Sequence, residues 1–252
     1  MTNAHITLEN VDVDFTIYGV RSRSIQSHAL RASTGGLITF PSDTRVTISA
    51  LANIDLDIKQ GDRVGLIGHN GAGKTTLLRV LAGVYEPVRG RITRHGRTTP
   101  LFDLSSGFTP EGTGFENIIV RGMYLGIEPA ELRRLRDQIA DFSELGAYLH
   151  MPVNTYSAGM LMRLAFAIST AVKPDILLTD EWLAVGDAGF VKKAEQRLQE
   201  LVGGSSILVI ASHSMGVLER VCNRLVWLDA GRVRGNGPVA EVKAQYAEAT
   251  GA

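Results

Sequence analysis

The run GHNGAGKT (68–75) constrains the fold more than any other part of this chain. It follows RVGLIG (63–68), a short apolar stretch without alternation, which reads as a strand buried on both faces. It leads into TTLLRVLAG (75–83), where Leu77, Leu78 and Leu81 mark a buried helical face and Gly83 a stop. A strand passing through glycines into a helix is the context that the pattern G-x-x-x-x-G-K-[ST] requires. The glycines let backbone N–H groups wrap phosphates, and the helix end adds its positive dipole. Gly68, His69, Asn70, Gly71, Ala72 and Gly73 are therefore expected to cradle the phosphates of a nucleotide. Lys74 is expected to reach the β- and γ-phosphates, Thr75 to coordinate Mg²⁺, and Thr76 to bond a phosphate nearby. His69 reads as a variable loop position and not as a catalyst, because such a loop works through its backbone.

The rest of the chain supplies an α/β frame around that loop. ITLENVDVDF (6–15) places Ile6 and Leu8 on one face and then Val11, Val13 and Phe15, a strand pattern. ISALANIDLDI (48–58) alternates again, and QGD (60–62) and EPVRG (86–90) are turns. Between about 103 and 155 the character becomes helical, with Leu132, Leu135, Ile139 and Phe142 on one face. DILLTDE (175–181) reads as a buried strand, FVKKAEQRLQEL (190–201) as a helix and SSILVIASH (205–213) as a strand. MGVLERVCN (215–223) then reads as a helix and RLVWLDAGRV (224–233) as one strand. Strands alternating with helices imply a largely parallel sheet. The stretch 19–47 is longer than a tight connection needs, and Arg21, Arg23 and Arg31 precede its first acid, Asp43. It reads either as a solvated loop with a short helix or as a segment facing a partner or lipid headgroups.

Three further strand or helix ends carry chemistry. DILLTDE ends in paired carboxylates: Asp180 is placed to hold Mg²⁺ directly or through water, and Glu181 to orient or deprotonate an attacking water. ASH ends another apolar strand, so His213 is expected in the crevice formed by parallel strand ends. TYSAGMLMRLAFA (155–167) puts Ser157 and Gly159 at the start of a strongly apolar helix, a second anion-binding helix end.

Composition narrows the class. Lys+Arg and Asp+Glu are both 26, and this balance disfavours a nucleic-acid partner. The lone Cys222 reads as a small buried apolar residue. The start MTNAHITLENVDV lacks the basic and apolar regions of a secretory signal, and no apolar run reaches the ~18–20 residues of a membrane span. A cytoplasmic chain that reaches a membrane only through a partner is the expectation.

GHNGAGKT, YSAGM, ILLTDE, an acidic turn at VGDA (185–188) and ASH follow one another as in ATP-binding cassette (ABC) proteins, and the resemblance covers about residues 5–240. TYSAGMLMRLAFA has Met160 where most cassettes carry Gln, and so resembles the ATPase subunit of exporters of O-antigen, capsule, teichoic acid or similar lipid-linked glycans. LAGVYEPVRGRI, LFDLSSGFTPEGTGFENI and DEWLAVGDAGF look like the same branch, especially its O-antigen members.

The resemblance implies an α/β P-loop NTPase cassette with a mostly parallel core sheet, an N-terminal antiparallel β-subdomain and an inserted α-helical subdomain. One nucleotide-binding domain would span 1–252, with core 1–102 and 172–240, helical subdomain 103–171 and C-terminal helix 238–250. The C-terminal carbohydrate-binding domain that some exporters of this branch add is not expected within 1–252. Two copies would face each other head to tail, with ATP and Mg²⁺ on one phosphate loop closed over by Ser157 and Gly159 of the other. Asp187 would sit at the seam, Phe15 against adenine, and Glu181 and His213 would serve catalysis. Closure and reopening would drive a polytopic permease that moves a lipid-linked glycan, with the cassette at the cytoplasmic face of the inner membrane. One departure concerns the Gln with which most cassettes contact Mg²⁺ and sense the permease. No Gln lies between Gln60 and Gln138, and about Asp103 or Leu104 takes its place, with Asp103 the possible substitute. An importer or another exporter, a soluble cassette protein without a permease, and a non-hydrolysing nucleotide-binding scaffold are the alternatives.

Overall fold

The computed structural model describes residues 4–18, 38–42, 45–181 and 188–251. The chain divides into two compact units, Met1–Gly96 with Ser206–Ala252, and Arg97–Ser205.

The first unit holds two sheets. Its antiparallel sheet has the order β2-β3-β1-β5, with β1 at His5–Tyr18, β2 at Ile38–Ser42, β3 at Arg45–Lys59 and β5 at Arg89–His95. The apolar positions of β1 change parity, from Ile6 and Leu8 to Val11 and Val13, yet all four are buried. A bulge absorbs the extra residue: the register shifts between Leu8 and Val11, and Asn10 takes φ 49°. β3 does the same between Leu51 and Ile54, with Asn53 at φ 53°. Each bulge is closed by an aspartate of the opposite strand. The Asn10 N–H donates to Asp55 Oδ1 (2.8 Å), and the Asn53 N–H to Asp12 Oδ1 (2.7 Å). Of the segment 19–47, residues 38–42 and 45–47 are strand where a loop with a short helix was one expectation; residues 19–37 and 43–44 lie outside the described residues.

The second sheet of this unit carries β4 (Arg63–Ile67) between two parallel neighbours, β8 (Ile207–Ala211) and β9 (Arg224–Asp229). A strand flanked on both edges and both faces has no exposed side for a polar residue, hence its unbroken apolar run. Helix α1 (Lys74–Leu81) follows β4. The expected single strand 224–233 is a hairpin instead. β9 turns back at Ala230 and Gly231, both at positive φ (47° and 72°), into β10 (Arg232–Pro238), which pairs with it antiparallel. Two consecutive positive-φ residues make the tight turn whose twist matches a hairpin.

The second unit contains the parallel pair β6 (Thr98–Leu101) and β7 (Ile176–Asp180). It adds helices α2 (Gly114–Tyr124), α3 (Pro129–Ser143), α4 (Ala158–Ser169) and α5 (Ala188–Gly204). The helical stretch expected over 103–171 thus clusters with β6, β7 and α5. Its core joins Ile118, Ile139, Leu149, Val153, Leu164 and Ile168; Leu132 is buried too, while Leu135 and Phe142 are partly exposed. α2 and α3 pack at close range because residue 122 is glycine: a Cβ there would lie 2.2 Å from Leu132 Cδ2. In the first unit α6 (Met215–Val221) follows β8, and α7 (Val239–Thr250) closes the described chain after β10.

Asn117, fully buried on α2, shapes the connection into that helix. Its Nδ2 donates to the carbonyls of Thr109, Gly112 and Thr113 at 3.0 Å each, and its Oδ1 accepts from the Thr109 N–H at 2.7 Å. Asn117→Leu would remove all four bonds. The three carbonyls keep backbone donors (the N–H groups of Gly112, Val153 and Asn117), while the Thr109 N–H loses its partner, at about 1–3 kcal/mol for a group left unsatisfied. The expected loss is about 1–3 kcal/mol, read as a lower urea midpoint at unchanged slope. An unchanged midpoint would show that the loop re-pairs elsewhere.

Candidate nucleotide site

Within the first unit, β4 and β8 run parallel in a register that pairs Leu66 with Ala211. Two residues further on, the chains reach Gly68 and His213, so the phosphate loop and the histidine leave the sheet at the same edge. This is the carboxyl edge, where parallel sheets bind ligands. His213 is exposed there, and the adjacent Ser212 is buried with its Oγ accepting the Ser214 N–H (3.1 Å).

The loop itself fits a polyphosphate. Gly73 caps α1 at φ 107°, with no side-chain cap and no acid in the helix's first turn. The first-turn N–H groups therefore face no competing carboxylate. Gly71, at φ 82°, has nothing within 4 Å of where a Cβ would stand, so its backbone is open to a ligand. Lys74 is 8 % exposed, and its Nζ donates to the carbonyls of Gly68 (2.6 Å) and His69 (3.1 Å) across the loop. Thr75 is exposed and Thr76 half-buried, Ala72 is buried, and Asn70 is exposed at the loop's outer turn.

The loop is braced from behind by the hairpin that sequence reading took for one strand. A Cβ on Gly68 would stand 2.2 Å from the Leu228 carbonyl oxygen. The Gly231 N–H donates to the Ala72 carbonyl (3.0 Å), and Asp229 Oδ1 lies 3.2 Å from His69 Nε2. His69 Nδ1 lies 2.7 Å from the Asn70 carbonyl oxygen, and Asp229 Oδ2 accepts from Arg234 Nε at 3.2 Å. His69 thus ties the loop to β9, a bracing role that a freely variable position does not need.

Phe15 lies partly exposed near the end of β1 and meets Tyr85 edge-on, ring centroids 5.2 Å apart. The Tyr85 hydroxyl accepts from Arg79 Nη1 (3.1 Å), and the Arg79 guanidinium also lies over that ring at 5.7 Å. Tyr85 carries no local signal in the sequence, since it is a tyrosine shortly after a helix stop.

In the second unit, the parallel register pairs Leu101 of β6 with Thr179 of β7. Two residues beyond that rung come Asp103 and Glu181, which leave the strand pair at the same end. Both hold positive φ (58° and 72°), where side chains are strained. The Thr179 hydroxyl donates to the Glu181 carbonyl (2.9 Å) and fixes that turn. Asp180 is half-buried and Glu181 exposed, while Leu104, buried and apolar, offers no oxygen to a metal. The carboxylates of Asp180 and Asp103 and the Thr75 hydroxyl are hard oxygen donors of the kind Mg²⁺ takes.

Ser157 caps α4, its side chain accepting the Met160 N–H at 3.2 Å. Ser157 and Gly159 are exposed and line an open groove of about 450 Å³ with Met160, Arg163, Leu145 and Tyr148. Glu144 closes one side, salt-bridged to Lys193 of α5 (2.7 Å). Asp187 lies outside the described residues. Cys222 is half-buried, and burial pushes its thiol up to about 12, in keeping with a packing residue. Among the described residues no helix is long and apolar enough to cross a membrane.

The comparisons with known proteins agree with this geometry. The family model for the ABC transporter matches residues 51–184. The O-antigen export system ATP-binding protein RfbE of Yersinia enterocolitica is 43 % identical over 90 % of this chain and 95 % of its own length. RfbB of Myxococcus xanthus, of the same description, is 46 % identical over 80 % of this chain and 46 % of its own length. The teichoic acids export protein TagH of Listeria innocua is 33 % identical over 98 % of this chain and 70 % of its own. Among solved structures, a dimeric ATP-binding cassette in a post-hydrolysis state, bound to ADP and Pi, shares the fold at TM-score 0.63 and 21 % identity, over 93 % of this chain and 98 % of its own. With a phosphate loop, a carboxylate-ended strand and the matching family model all in place, the chain belongs to the ABC transporter family.

Proposed function

We propose that this chain is the ATPase subunit of an exporter that moves a lipid-linked polysaccharide of O-antigen type through a separate membrane-embedded permease. The observation that carries this reading is the similarity, along nearly the full length of both chains, to an O-antigen export ATP-binding protein. On this proposal the chain works at the cytoplasmic face of the inner membrane, bound there through the permease.

ATP and Mg²⁺ are the substrate and its metal. The loop N–H groups of 68–73 and the Lys74 ammonium neutralise phosphate charge, and Thr76 adds a hydroxyl. Phe15, with Tyr85 at its edge, offers an aromatic face to the base. Thr75, Asp180 and Asp103 would hold Mg²⁺, which would supply positive charge against the phosphates. Glu181 takes a proton from water as its oxygen attacks the γ-phosphorus and the bond to the bridging oxygen breaks, releasing ADP. His213 holds the water in line. Ser157 and Gly159 of a second copy complete the site, and Asp187 links the two sites across the seam.

The test is deletion of the gene in the producing strain. Surface long-chain glycan should fall below about 1 % of its wild-type level, on the scale of removing a catalyst worth 10²-fold or more, while lipid-linked glycan builds up inside. Wild-type chain should restore export and Glu181→Gln should not. Unchanged surface glycan with a changed small-solute phenotype would favour another ABC importer or exporter.

A further inference from the structure

We infer that Arg121 is a positioning residue for ATP turnover, joining the loop that begins at Asp103 to the helix whose first turn carries Ser157. The inference rests on the proposed roles of Asp103 and Ser157. Arg121 lies on α2 and is 2 % exposed. Its Nε donates to the Ser106 carbonyl (3.1 Å). Its Nη1 donates to the Ala165 carbonyl (3.3 Å) and to Ser169 Oγ (3.0 Å), both on α4. Its guanidinium carbon lies 5.2 Å from the Phe108 ring centroid. One planar fork therefore grips the 103–109 loop with one arm and α4 with another. The link continues to the acid, since the Ser106 N–H donates to the Asp103 carbonyl (3.0 Å). It continues along α4 as well. Twelve continuous helical residues carry it over about 18 Å from Ser169 to the Ser157 cap.

Packing alone does not account for an arginine here. The bonds go to two carbonyls and one hydroxyl, so among the described residues no carboxylate bonds this buried cation to repay its dehydration. Burial lowers its pKa to about 10, which still leaves it charged at neutral pH. A methionine would fill the volume without that cost but would leave loop and helix free to shift independently. Asn117, one turn earlier on α2, holds the other half of the same loop through Thr109, Gly112 and Thr113. The helix α2 thus grips the whole Asp103–Thr113 connection, and Arg121 alone of the two carries the grip across to α4.

The experiment compares Arg121→Met, Arg121→Lys and Ser169→Ala in the full chain, measuring kcat, KM and the equilibrium Kd for ATP per folded molecule. Arg121→Met should lower kcat by about 10-fold with Kd for ATP within about 2-fold, because the phosphate loop is untouched. Arg121→Lys keeps the charge but loses the fork, and should fall with the methionine variant. Ser169→Ala removes one of the two bonds that Nη1 makes to α4, at a position where alanine suits the helix, and should lower kcat by about 3-fold. It decides the matter if Arg121→Met fails to fold. Asp103→Ala combined with Ser169→Ala should lose no more kcat than Asp103→Ala alone, since both act through one link. A wild-type kcat in Arg121→Met and Ser169→Ala, or a Kd that weakens in step with kcat, would overturn the inference. Wild-type kcat in Asp103→Ala would remove that residue's own role and leave the bridge to be judged by the other variants.

Discussion

Glu181→Gln is expected to lower steady-state ATP turnover by about 100-fold or more, with ATP affinity within about 2-fold of wild type. Gln has the same shape but cannot accept the water's proton. Residue 181 sits at φ 72°, in a turn whose carbonyl accepts the Thr179 hydroxyl at 2.9 Å, and the substitution changes neither feature. The loss therefore reports chemistry and not a refolded turn. If hydrolysis reopens two copies closed around ATP, blocking it traps them together. With Mg²⁺ and ATP the variant should elute at twice the 27.2 kDa of one chain, and without nucleotide at the monomer position. A Glu181→Gln chain that hydrolyses ATP like wild type would move the base elsewhere, and His213→Ala would then be the next variant to read.

The parts of this site legible in the sequence are those written in contiguous residues. The phosphate loop between a strand and a helix, the strand ending at Asp180 and the Ser157 cap each announce themselves within about ten residues, because helix and strand periods and glycine turns are local. What went unseen depends on residues far apart. β5 reads RGRITRH, mostly exposed and charged, and only its pairing with β1 makes it a strand. β6 is TTPL, four residues containing a proline that sheets tolerate at an edge. The hairpin at Ala230–Gly231 hid because alanine rarely takes positive φ, and Ala52 and Ala72 of distant segments bond Gly231 in place. The parity change in β1 was visible, yet a bulge could be inferred only with β3 beside it, since Asp55 and Asp12 reach across to close the two kinks. Arg121 is the extreme case. Alone it reads as a surface residue of an amphipathic helix, and its meaning comes from Ser106 and Ser169, which are 15 and 48 residues away.

Ser157→Arg is expected to abolish nucleotide-dependent dimerisation and lower kcat by about 100-fold, while ATP binding to the single chain stays within about 3-fold. Ser157 and the phosphate loop belong to different compact units. Its side chain accepts one bond, from the Met160 N–H, as a helix cap. Losing that cap costs about 0.5–2 kcal/mol, and a cation at a helix N-terminus adds about 0.3–1 kcal/mol. The helix should survive both, because its inner face buries Leu164, Phe166 and Ile168. What arginine changes is the exposed mouth of the groove beside Gly159 and Met160, where a short hydroxyl becomes a long side chain. Ser157→Ala separates the two effects: it loses the cap but leaves the mouth open, so dimerisation should weaken by about 10-fold and not vanish. Adding Glu181→Gln sharpens the test, since that variant alone forms the stable pair and the double variant should stay single at saturating ATP. Equal loss of ATP affinity in the single chain would mean that Ser157 serves the nucleotide of its own copy, and the reading of two half-sites completed in trans would fall.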